Sequence, residues 1–266
     1  MLSMLRIIDV SSNQGRIDIA PIDCDGVIAK STGGNNYVND CCDFVIQQCI
    51  KLGKPFGFYH YAHEFGQVNT PETEAHYFIE NSRNYFTHGI AILDYEVAIN
   101  GSNYTQKDIS WIKQFIEYVY NNTGVYCLLY ISKSLLNAGD WSEVAKVSGL
   151  WFAQYANNNP TEWIDEPWTD NKPLTPFIGV MHQYTSTGVI RGYNGVLDLS
   201  LFYGDLTTWK AYTDPQHPVT HEPTDKPVDY LTPFAKDVII GVYGTGQQRK
   251  DNIYKAIQNK VNELIK

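Results

Sequence analysis

Two acidic residues separated by one position, Asp94 and Glu96, have the types and the spacing to do chemistry. They follow the apolar run 89–93 (Gly-Ile-Ala-Ile-Leu), which predicts a short buried strand. Side chains two apart on a strand point to the same face, with Cα atoms about 7 Å apart. Two carboxyl groups that close repel when both are ionised, so one keeps its proton near neutral pH. Such a pair suits glycoside hydrolysis, although two solvated loop acids would have the same sequence.

Further acids lie in the first and the last of the apolar runs that predict strands, at Asp9 and Asp198. Eight such runs occur, at positions 5–10, 26–29, 55–61, 89–93, 125–131, 150–155, 177–184 and 195–199. Helical patterns at 42–52, 71–83 and 105–121 separate the early runs. This alternation predicts a parallel sheet, and eight strands within about 200 residues predict an α/β barrel with its chemistry at the carboxyl ends of the strands.

Aromatic and amide side chains at the ends of the other runs are candidates for binding a sugar. A flat ring can cover the apolar face of a pyranose, and aromatic residues make up 14% of the chain, although an aromatic core would give the same composition. The candidate substrate-binding residues are Lys30, Tyr59, Tyr61, Tyr130, Trp151, Gln154, Gln183 and Tyr184. Lys30 could pair with the acids or with the substrate, and a structural ion pair is the alternative.

The composition argues against several classes of partner and ligand. A formal net charge of −9 argues against nucleic acid. The sequence lacks a run of about 18 apolar residues, so no membrane span is predicted, and its N-terminus lacks the pattern of a secretory signal. The five cysteines show no framework spacing, which favours reduced thiols made in a cytosol. No paired CxxC motif is present, so neither a metal site nor another cofactor is predicted.

The composition changes sharply near residue 212. Residues 212–227 contain four prolines and almost no apolar side chains, which predicts an extended linker. Residues 1–211, which precede it, form the predicted catalytic barrel. Residues 228–266 show helical patterning and predict a small all-α module of marginal stability, because so short a segment buries little apolar surface.

Seven short blocks along the chain resemble glycoside hydrolase family 25, the Chalaropsis-type lysozymes that are common as phage endolysins. The blocks lie at positions 9–15, 28–34, 57–61, 94–96, 150–155, 182–184 and 198–200. The resemblance covers about residues 5–210, and it implies an incomplete eight-stranded β/α barrel with N-acetylmuramidase activity on bacterial peptidoglycan. The aspartates of the family motif correspond to Asp9, Asp94 and Asp198, and its proton donor corresponds to Glu96.

Two departures from the family pattern lie at the substrate-binding rim. Residues 28–32, Ile-Ala-Lys-Ser-Thr, stand where the family often has Ile-Lys-Ala-Thr-Glu, so an acid at the end of the second strand is missing. His182 stands where Trp is common. Both departures concern the preference of the binding subsites more than the acid and base centre.

The resemblance implies a general acid, a neighbour that supports it and two flanking acids. We expect Glu96 to protonate the leaving oxygen, with its pKa raised by Asp94, Asp9 and Asp198. Asp9 and Asp198 come from strands that are neighbours when a barrel closes, and they would flank the reacting sugar. The alternatives are an ion pair for Glu96 and a cap or turn role for Asp9 or Asp198. Either a carboxylate or the substrate's own 2-acetamido oxygen would attack the sugar.

The tail resembles one copy of a cell-wall-binding repeat of some phage lysozymes, carried by residues 237–250 and 261–264. The resemblance implies recognition of the muropeptide, with Tyr243 in place of the usual Trp. Arg249 is the candidate contact for a peptide carboxylate, because its planar fork suits that group, and a solvated charge is the alternative. A single repeat should bind weakly, so homo-oligomerisation through this module is a hypothesis.

The leading hypothesis is a bacteriolytic phage endolysin that cleaves the bond between N-acetylmuramic acid and N-acetylglucosamine. Because no signal peptide is visible, we expect synthesis in the host cytoplasm and release to the cell wall through a holin. The alternatives are a bacterial autolysin and a peptidoglycan-binding protein with an inactive barrel. The presence of Asp9, Asp94, Glu96 and Asp198 argues against an inactive barrel.

Overall fold

Nine β-strands form one sheet in the computed structural model, which describes residues 4–214 and Lys255. The strands are β1 (Leu5–Val10), β2 (Gly26–Gly33), β3 (Tyr37–Val38), β4 (Phe56–Tyr61), β5 (Ile90–Asp94), β6 (Leu128–Ser132), β7 (Leu150–Ala153), β8 (Gly179–Gly188) and β9 (Leu197–Phe202). Their order is β1-β9-β8-β7-β6-β5-β4-β2, and β2 pairs with β1 to close an eight-stranded barrel. The predicted barrel is confirmed, and β3, which extends β2 as an antiparallel strand, has no counterpart among the predicted runs.

Five α-helices accompany the strands within residues 4–214. They are α1 (Cys42–Leu52), α2 (Pro71–Ser82), α3 (Gln106–Thr123), α4 (Ser142–Ala145) and α5 (Leu206–Ala211). The first three agree with the predicted helices to within about two residues at each end. Thr70 caps α2 by accepting a hydrogen bond from the Thr73 backbone N–H, and Pro71 occupies the first turn, where its missing N–H costs nothing. The connection 154–178, between β7 and β8, contains no helix.

The last strand runs in the opposite direction to its neighbours, so the predicted parallel sheet is wrong at this point. β9 pairs antiparallel with both β1 and β8, whereas the other neighbouring pairs of the barrel are parallel. Residues 189–196 alone connect β8 to β9, which is too short for the crossover of about a dozen residues that a parallel pair requires. An antiparallel strand presents its first residues at the rim where parallel strands end, and there Asp198 lies opposite Asp9 of β1.

Side chains of the barrel strands alternate between the interior and an outer layer beneath the helices. The apolar side chains of the interior include Ile7, Ile28, Ile90, Ile92, Leu128, Trp151, Met181 and Phe202. A separate outer cluster joins Ala91 and Leu93 of β5 to apolar residues of α1, α2 and α3. Because apolar side chains fill the interior of the barrel, the chemistry is confined to its rim. There, the side chains that point inward are polar.

The predicted linker 212–227 and module 228–266 lie outside the described residues, apart from Lys255 and the first three linker positions, and so do Tyr243 and Arg249. Within the part of the chain that is described, none of the helices has both the length and the apolar surface that a bilayer crossing requires. The same part contains no group of three or more His, Cys, Asp or Glu side chains that could hold a metal ion.

Candidate active site

Each barrel strand carries a row of side chains that point into the barrel, and at one rim of the barrel these rows end in polar residues. Ile90 and Ile92 of β5 point inward, so Asp94, two residues further, points the same way at the rim. The same alternation places Asp9 after Ile7 on β1. One cavity of about 360 Å³ is lined by Asp9, Lys30, Tyr59, Tyr61, Asp94, Glu96, Tyr130, Trp151, Gln183 and Asp198, among others. The structure therefore brings together the four predicted catalytic acids and most of the predicted substrate-binding residues.

Two predicted substrate-binding residues, Gln154 and Tyr184, do not line this acid cavity. Gln154 lines an adjoining cavity of about 560 Å³, where its side-chain oxygen accepts a hydrogen bond from Lys133 Nζ at 3.3 Å. Tyr184 belongs to the outward row of β8, because its neighbour Gln183 points inward. The Tyr184 hydroxyl donates to the carbonyl oxygen of Glu162 at 3.1 Å, which directs it away from the acids.

Trp151 lies at the floor of the acid cavity rather than on its wall. Its side chain is buried, and Nε1 donates to Ser200 Oγ at 3.1 Å. The indole meets the Tyr130 ring edge-on, with centroids 4.5 Å apart. This pair supports the rim from below, whereas the half-buried ring of Tyr61 retains surface that can contact a sugar.

Gln183 is held in one orientation by two tyrosine hydroxyl groups. Tyr130 and Tyr155 both donate to Gln183 Oε1, at 2.7 and 2.5 Å. The amide nitrogen is thereby turned towards Asp9, and Nε2 donates to Asp9 Oδ2 at 3.0 Å. Tyr155 is not among the predicted site residues, because no feature of the sequence distinguishes a hydrogen-bonding tyrosine at a strand end from one that fills the core.

Burial raises the pKa of all four acids, because desolvation penalises the charged form of a carboxyl group. The pKa of Asp9 lies well above its usual range, raised by burial and then by Asp198, although the hydrogen bond from Gln183 lowers it. Burial, and then the charge of Glu96, raise the pKa of Asp198 to about 6. The pairing of Asp9 with Asp198 across β1 and β9 is therefore a direct cause of the raised pKa at Asp9.

Asp94 and Glu96 form the second half of the acid cluster. Burial, and then Glu96 and Asp9, raise the pKa of Asp94 well above its usual range, and its Oδ1 atom has no hydrogen-bond partner within the described residues. Burial also raises the pKa of Glu96, while the Tyr130 hydroxyl and the Lys30 charge lower it. The sequence predicts that the neighbouring acids raise the pKa of Glu96. Burial is instead the largest cause of the raised pKa. Four crowded acids with raised pKa values keep their protons to higher pH than exposed carboxyl groups do.

The raised pKa of Asp198 predicts a substitution that stabilises the fold at neutral pH. Because its folded-state pKa of about 6 exceeds the usual 3.8, the contribution of Asp198 to stability is complete below pH 3.8 and is lost as the pH rises through 6. We expect Asp198→Asn to raise the free energy of unfolding at about pH 8 by as much as about 3 kcal/mol, and to change it little at about pH 4.

Urea unfolding of Asp198→Asn and wild type at these two pH values measures the difference. Asp165→Asn is the matched control, because the Asp165 side chain is 77% exposed and lies outside the cavity. A gain of equal size at both pH values would show that the stabilisation has another cause than the removal of a buried charge.

A buried polar network lies beneath Asp94 and Glu96 and anchors the residue between them. The Tyr95 hydroxyl donates to Asp108 Oδ1 at 2.9 Å and lies 3.2 Å from His63 Nε2. The other ring nitrogen of His63 lies 3.2 Å from Glu74 Oε1. Neither His63 nor Glu74 was identifiable from sequence, because a histidine in a loop and an acid in a first helical turn are ordinary surface residues. This network fixes the backbone that carries the two acids.

Residues 8–193, which include most of the barrel and three of the four acids, match glycosyl hydrolases family 25. The chain belongs to this family. A second match, to the CW_7 repeat, covers residues 233–265.

Relatives of this family 25 chain include lysozymes of phages and bacteria. A lysozyme of Streptococcus phage Cp-7 is 26% identical over 272 residues, which cover 97% of this chain and 69% of the relative. The bacterial lysozyme from Streptomyces coelicolor has a TM-score of 0.66 at 24% identity, covering 81% of this chain and 99% of that one. The modular autolysin LytC from Streptococcus pneumoniae, solved in complex with a synthetic peptidoglycan ligand, has a TM-score of 0.60 at 22% identity, covering 75% of this chain and 47% of that one. At these identities the solved structures show a shared fold.

Proposed function

We propose that this chain is a lysozyme, an N-acetylmuramidase that hydrolyses the β-1,4 bond between N-acetylmuramic acid and N-acetylglucosamine in bacterial peptidoglycan. The observation that carries the proposal is the cluster of Asp9, Asp94, Glu96 and Asp198 at the rim of a family 25 barrel. Glycoside hydrolysis requires a proton for the leaving oxygen and negative charge near the oxocarbenium-like carbon. A cluster that keeps some protons and carries some charge at neutral pH can supply both.

The general acid in this proposal is Glu96. Glu96, Tyr130 and Tyr155 line both the acid cavity and the adjoining cavity of about 560 Å³. A glycan strand that lies across both cavities would therefore place one glycosidic bond beside Glu96. Burial raises the pKa of Glu96, which keeps a proton available for the leaving oxygen at higher pH than an exposed glutamate could.

The three aspartates support the acid and the reacting sugar. Asp94 precedes Glu96 by two residues and gives it electrostatic support from the same segment. Asp9 and Asp198 come from neighbouring strands and flank the sugar, with Asp9 held by the amide of Gln183. This arrangement serves both an attacking carboxylate and an attacking 2-acetamido oxygen, and a carboxyl separation of about 5–5.5 Å is typical of the first route.

A role as a phage endolysin is supported by the similarity to the Cp-7 lysozyme over 97% of the chain and by the CW_7 match at residues 233–265. In this role the enzyme is made in the host cytoplasm and reaches the wall after release through a holin. The C-terminal module binds the cell wall, with Tyr243 and Arg249 as its contact residues. Because a single repeat binds weakly, self-association through this module would raise the avidity.

Mass spectrometry of digested peptidoglycan tests the proposed activity. Purified peptidoglycan is incubated with the full chain, and the sugars at the new reducing ends are identified. We expect muramic acid at these ends, because cleavage of the proposed bond leaves it there. Reducing-end glucosamine would contradict the assigned bond, and wall binding without any release would favour a peptidoglycan-binding protein with an inactive barrel.

A further inference from the structure

Lys30 and Glu64 form an ion pair at the edge of the acid cavity. Lys30 lines the cavity from β2, and its Nζ lies 2.5 Å from Glu64 Oε2, with both side chains 12% exposed. The same ammonium lies 4.8 and 4.6 Å from the ring centres of Tyr37 and Tyr61. A cation is attracted to the faces of aromatic rings, so one carboxylate and two rings hold Lys30 in a single position.

The Glu64 carboxylate occupies the space that a side chain at Gly33 would need. A Cβ atom at Gly33, the last residue of β2, would overlap Glu64 Oε2 and lie 2.8 Å from Glu64 Cδ. Gly33 is a strand residue whose φ is outside the left-handed region, so its backbone does not itself require glycine. Glycine at position 33 therefore leaves free the space that the Glu64 carboxylate occupies.

The segment that carries Glu64 has an uncommon backbone conformation. His63 and Phe65, on either side of Glu64, have φ values of 56° and 57°, in the left-handed region that residues other than glycine rarely adopt. The conformation persists because His63 is buried and bound on both sides, to the Glu74 carboxylate and to the Tyr95 hydroxyl. Strained segments that are held in this way cluster at functional sites.

We propose that Glu64 is a positioning residue of the acid centre, which fixes Lys30 and balances its charge beside Asp94 and Glu96. The proposal rests on the proposed function, since it assigns Glu64 a task in keeping the general acid protonated. The positive charge of Lys30 lowers the pKa of both Asp94 and Glu96. A negative partner in contact with Lys30 opposes that effect, and the charge of Glu64 raises the pKa of Asp94.

The other ionisable groups that line the acid cavity with Glu96 come from every barrel strand except β8, which contributes the neutral Gln183. They are Asp9 of β1, Lys30 of β2, Tyr59 and Tyr61 of β4, Asp94 of β5, Tyr130 of β6, Tyr155 after β7 and Asp198 of β9. Lys30 is the single cation among the described residues that line the acid cavity. Lys133 and Lys172 line the adjoining cavity that Glu96 also borders, and Lys133 is paired with Asp170. Lys30 is the cation that lowers the pKa of Glu96, so its balance by Glu64 affects the positive charge that this acid experiences.

The pH dependence of kcat/KM on peptidoglycan tests the charge balance. In Glu64→Gln the Lys30 charge is left uncompensated, so we expect the basic limb of the profile to move to lower pH by about one unit. At pH values above the wild-type limb, kcat/KM of Glu64→Gln should then be about tenfold lower than that of wild type. In the double variant Lys30→Met with Glu64→Gln, the limb should return to the wild-type position or above it, whatever the height of the plateau.

The control for a lost ion pair is Glu117→Gln, because Glu117 pairs with Lys113 on α3 at 2.8 Å and neither lines the acid cavity. This variant should keep the wild-type limb. A Glu64→Gln limb that does not move, or one that moves equally when Lys30 is absent, would overturn the proposal.

A residue exchange tests the match between Gly33 and Glu64 without any assay of cleavage. Gly33→Asp alone should lower the urea midpoint, because two side chains then occupy one space. Gly33→Asp combined with Glu64→Gly supplies the carboxylate from β2, since the carboxyl group of an aspartate is bonded directly to the Cβ atom that would lie beside the Glu64 carboxylate. This double variant should recover the midpoint lost in Gly33→Asp and the wild-type pH limb. Additive losses in the double variant would contradict the match. If no variant and no wild type cleaves peptidoglycan, recovery of the midpoint still establishes the contact, and the failure belongs to the proposed function.

Discussion

Glu96→Gln is expected to lower the rate of peptidoglycan cleavage by about 10²–10⁴-fold while wall binding is kept. Glutamine preserves the size of the side chain at the boundary of the two cavities, but it has no proton to give to the leaving oxygen. Because burial raises the pKa of Glu96, its charge is disfavoured in the folded state, and a neutral amide should leave the free energy of unfolding unchanged or raise it. Loss of activity without loss of stability would show that Glu96 acts in catalysis and not in folding.

Release of reducing ends, co-sedimentation with purified walls and thermal unfolding together measure this outcome. Glu166→Gln is the matched control, since Glu166 is exposed and lines a separate cavity. Asp94→Asn is the informative competitor, because burial raises the pKa of Asp94 as well. Turnover that survives in Glu96→Gln but is lost in Asp94→Asn would move the proton donor to Asp94.

Most of the barrel follows from local patterns. The apolar run 89–93 is the length of a buried strand, and the observed β5 covers Ile90–Asp94. α3 begins where Thr105 and Asp108 form a reciprocal capping box, a signal contained within four consecutive residues. Such elements are predictable because the residues that determine them are neighbours in sequence.

The direction of β9 and the orientation of Tyr184 depend on information that apolar runs do not carry. A run shows that a strand exists, but the short connection 189–196 determines that this strand returns antiparallel. Gln183 and Tyr184 are neighbours near the end of the same predicted run, and the sequence predicts the same role for both. Adjacent side chains on a strand face opposite sides of the sheet, so only one of the two can reach the acids.

Contacts between distant segments account for the rest of what the sequence could not predict. Glu64 lies 34 positions from Lys30, and the two meet because the loop after β4 turns back over the end of β2. An ion pair between a strand residue and an acid in an irregular loop cannot be predicted without the fold. The clustering of the four candidate acids was predictable because each lies in, or just after, a recognisable strand.

Glu74→Gln is expected to lower the free energy of unfolding at neutral pH by about 3 kcal/mol. Burial raises the pKa of Glu74, but hydrogen bonds from His60, His63 and Asn69 outweigh it and lower the pKa to about 2. A lowered pKa stabilises the fold above the usual value of 4.5, and this contribution is lost as the pH falls through 2. An amide loses the charge and turns a donor towards groups that already donate.

Urea unfolding of Glu74→Gln and Glu72→Gln, compared at neutral pH, separates burial from the helix dipole. Both acids lie in the first turn of α2, and the sequence assigns them the same favourable interaction with its N-terminus. Glu72 is exposed, so its substitution should cost less than about 1 kcal/mol. Equal losses would mean that Glu74 stabilises the fold through the helix dipole and not through the buried network. A much larger loss at Glu74 would show that the fold beneath Asp94 and Glu96 depends on one buried carboxylate, because Tyr95 is anchored through His63 to that group.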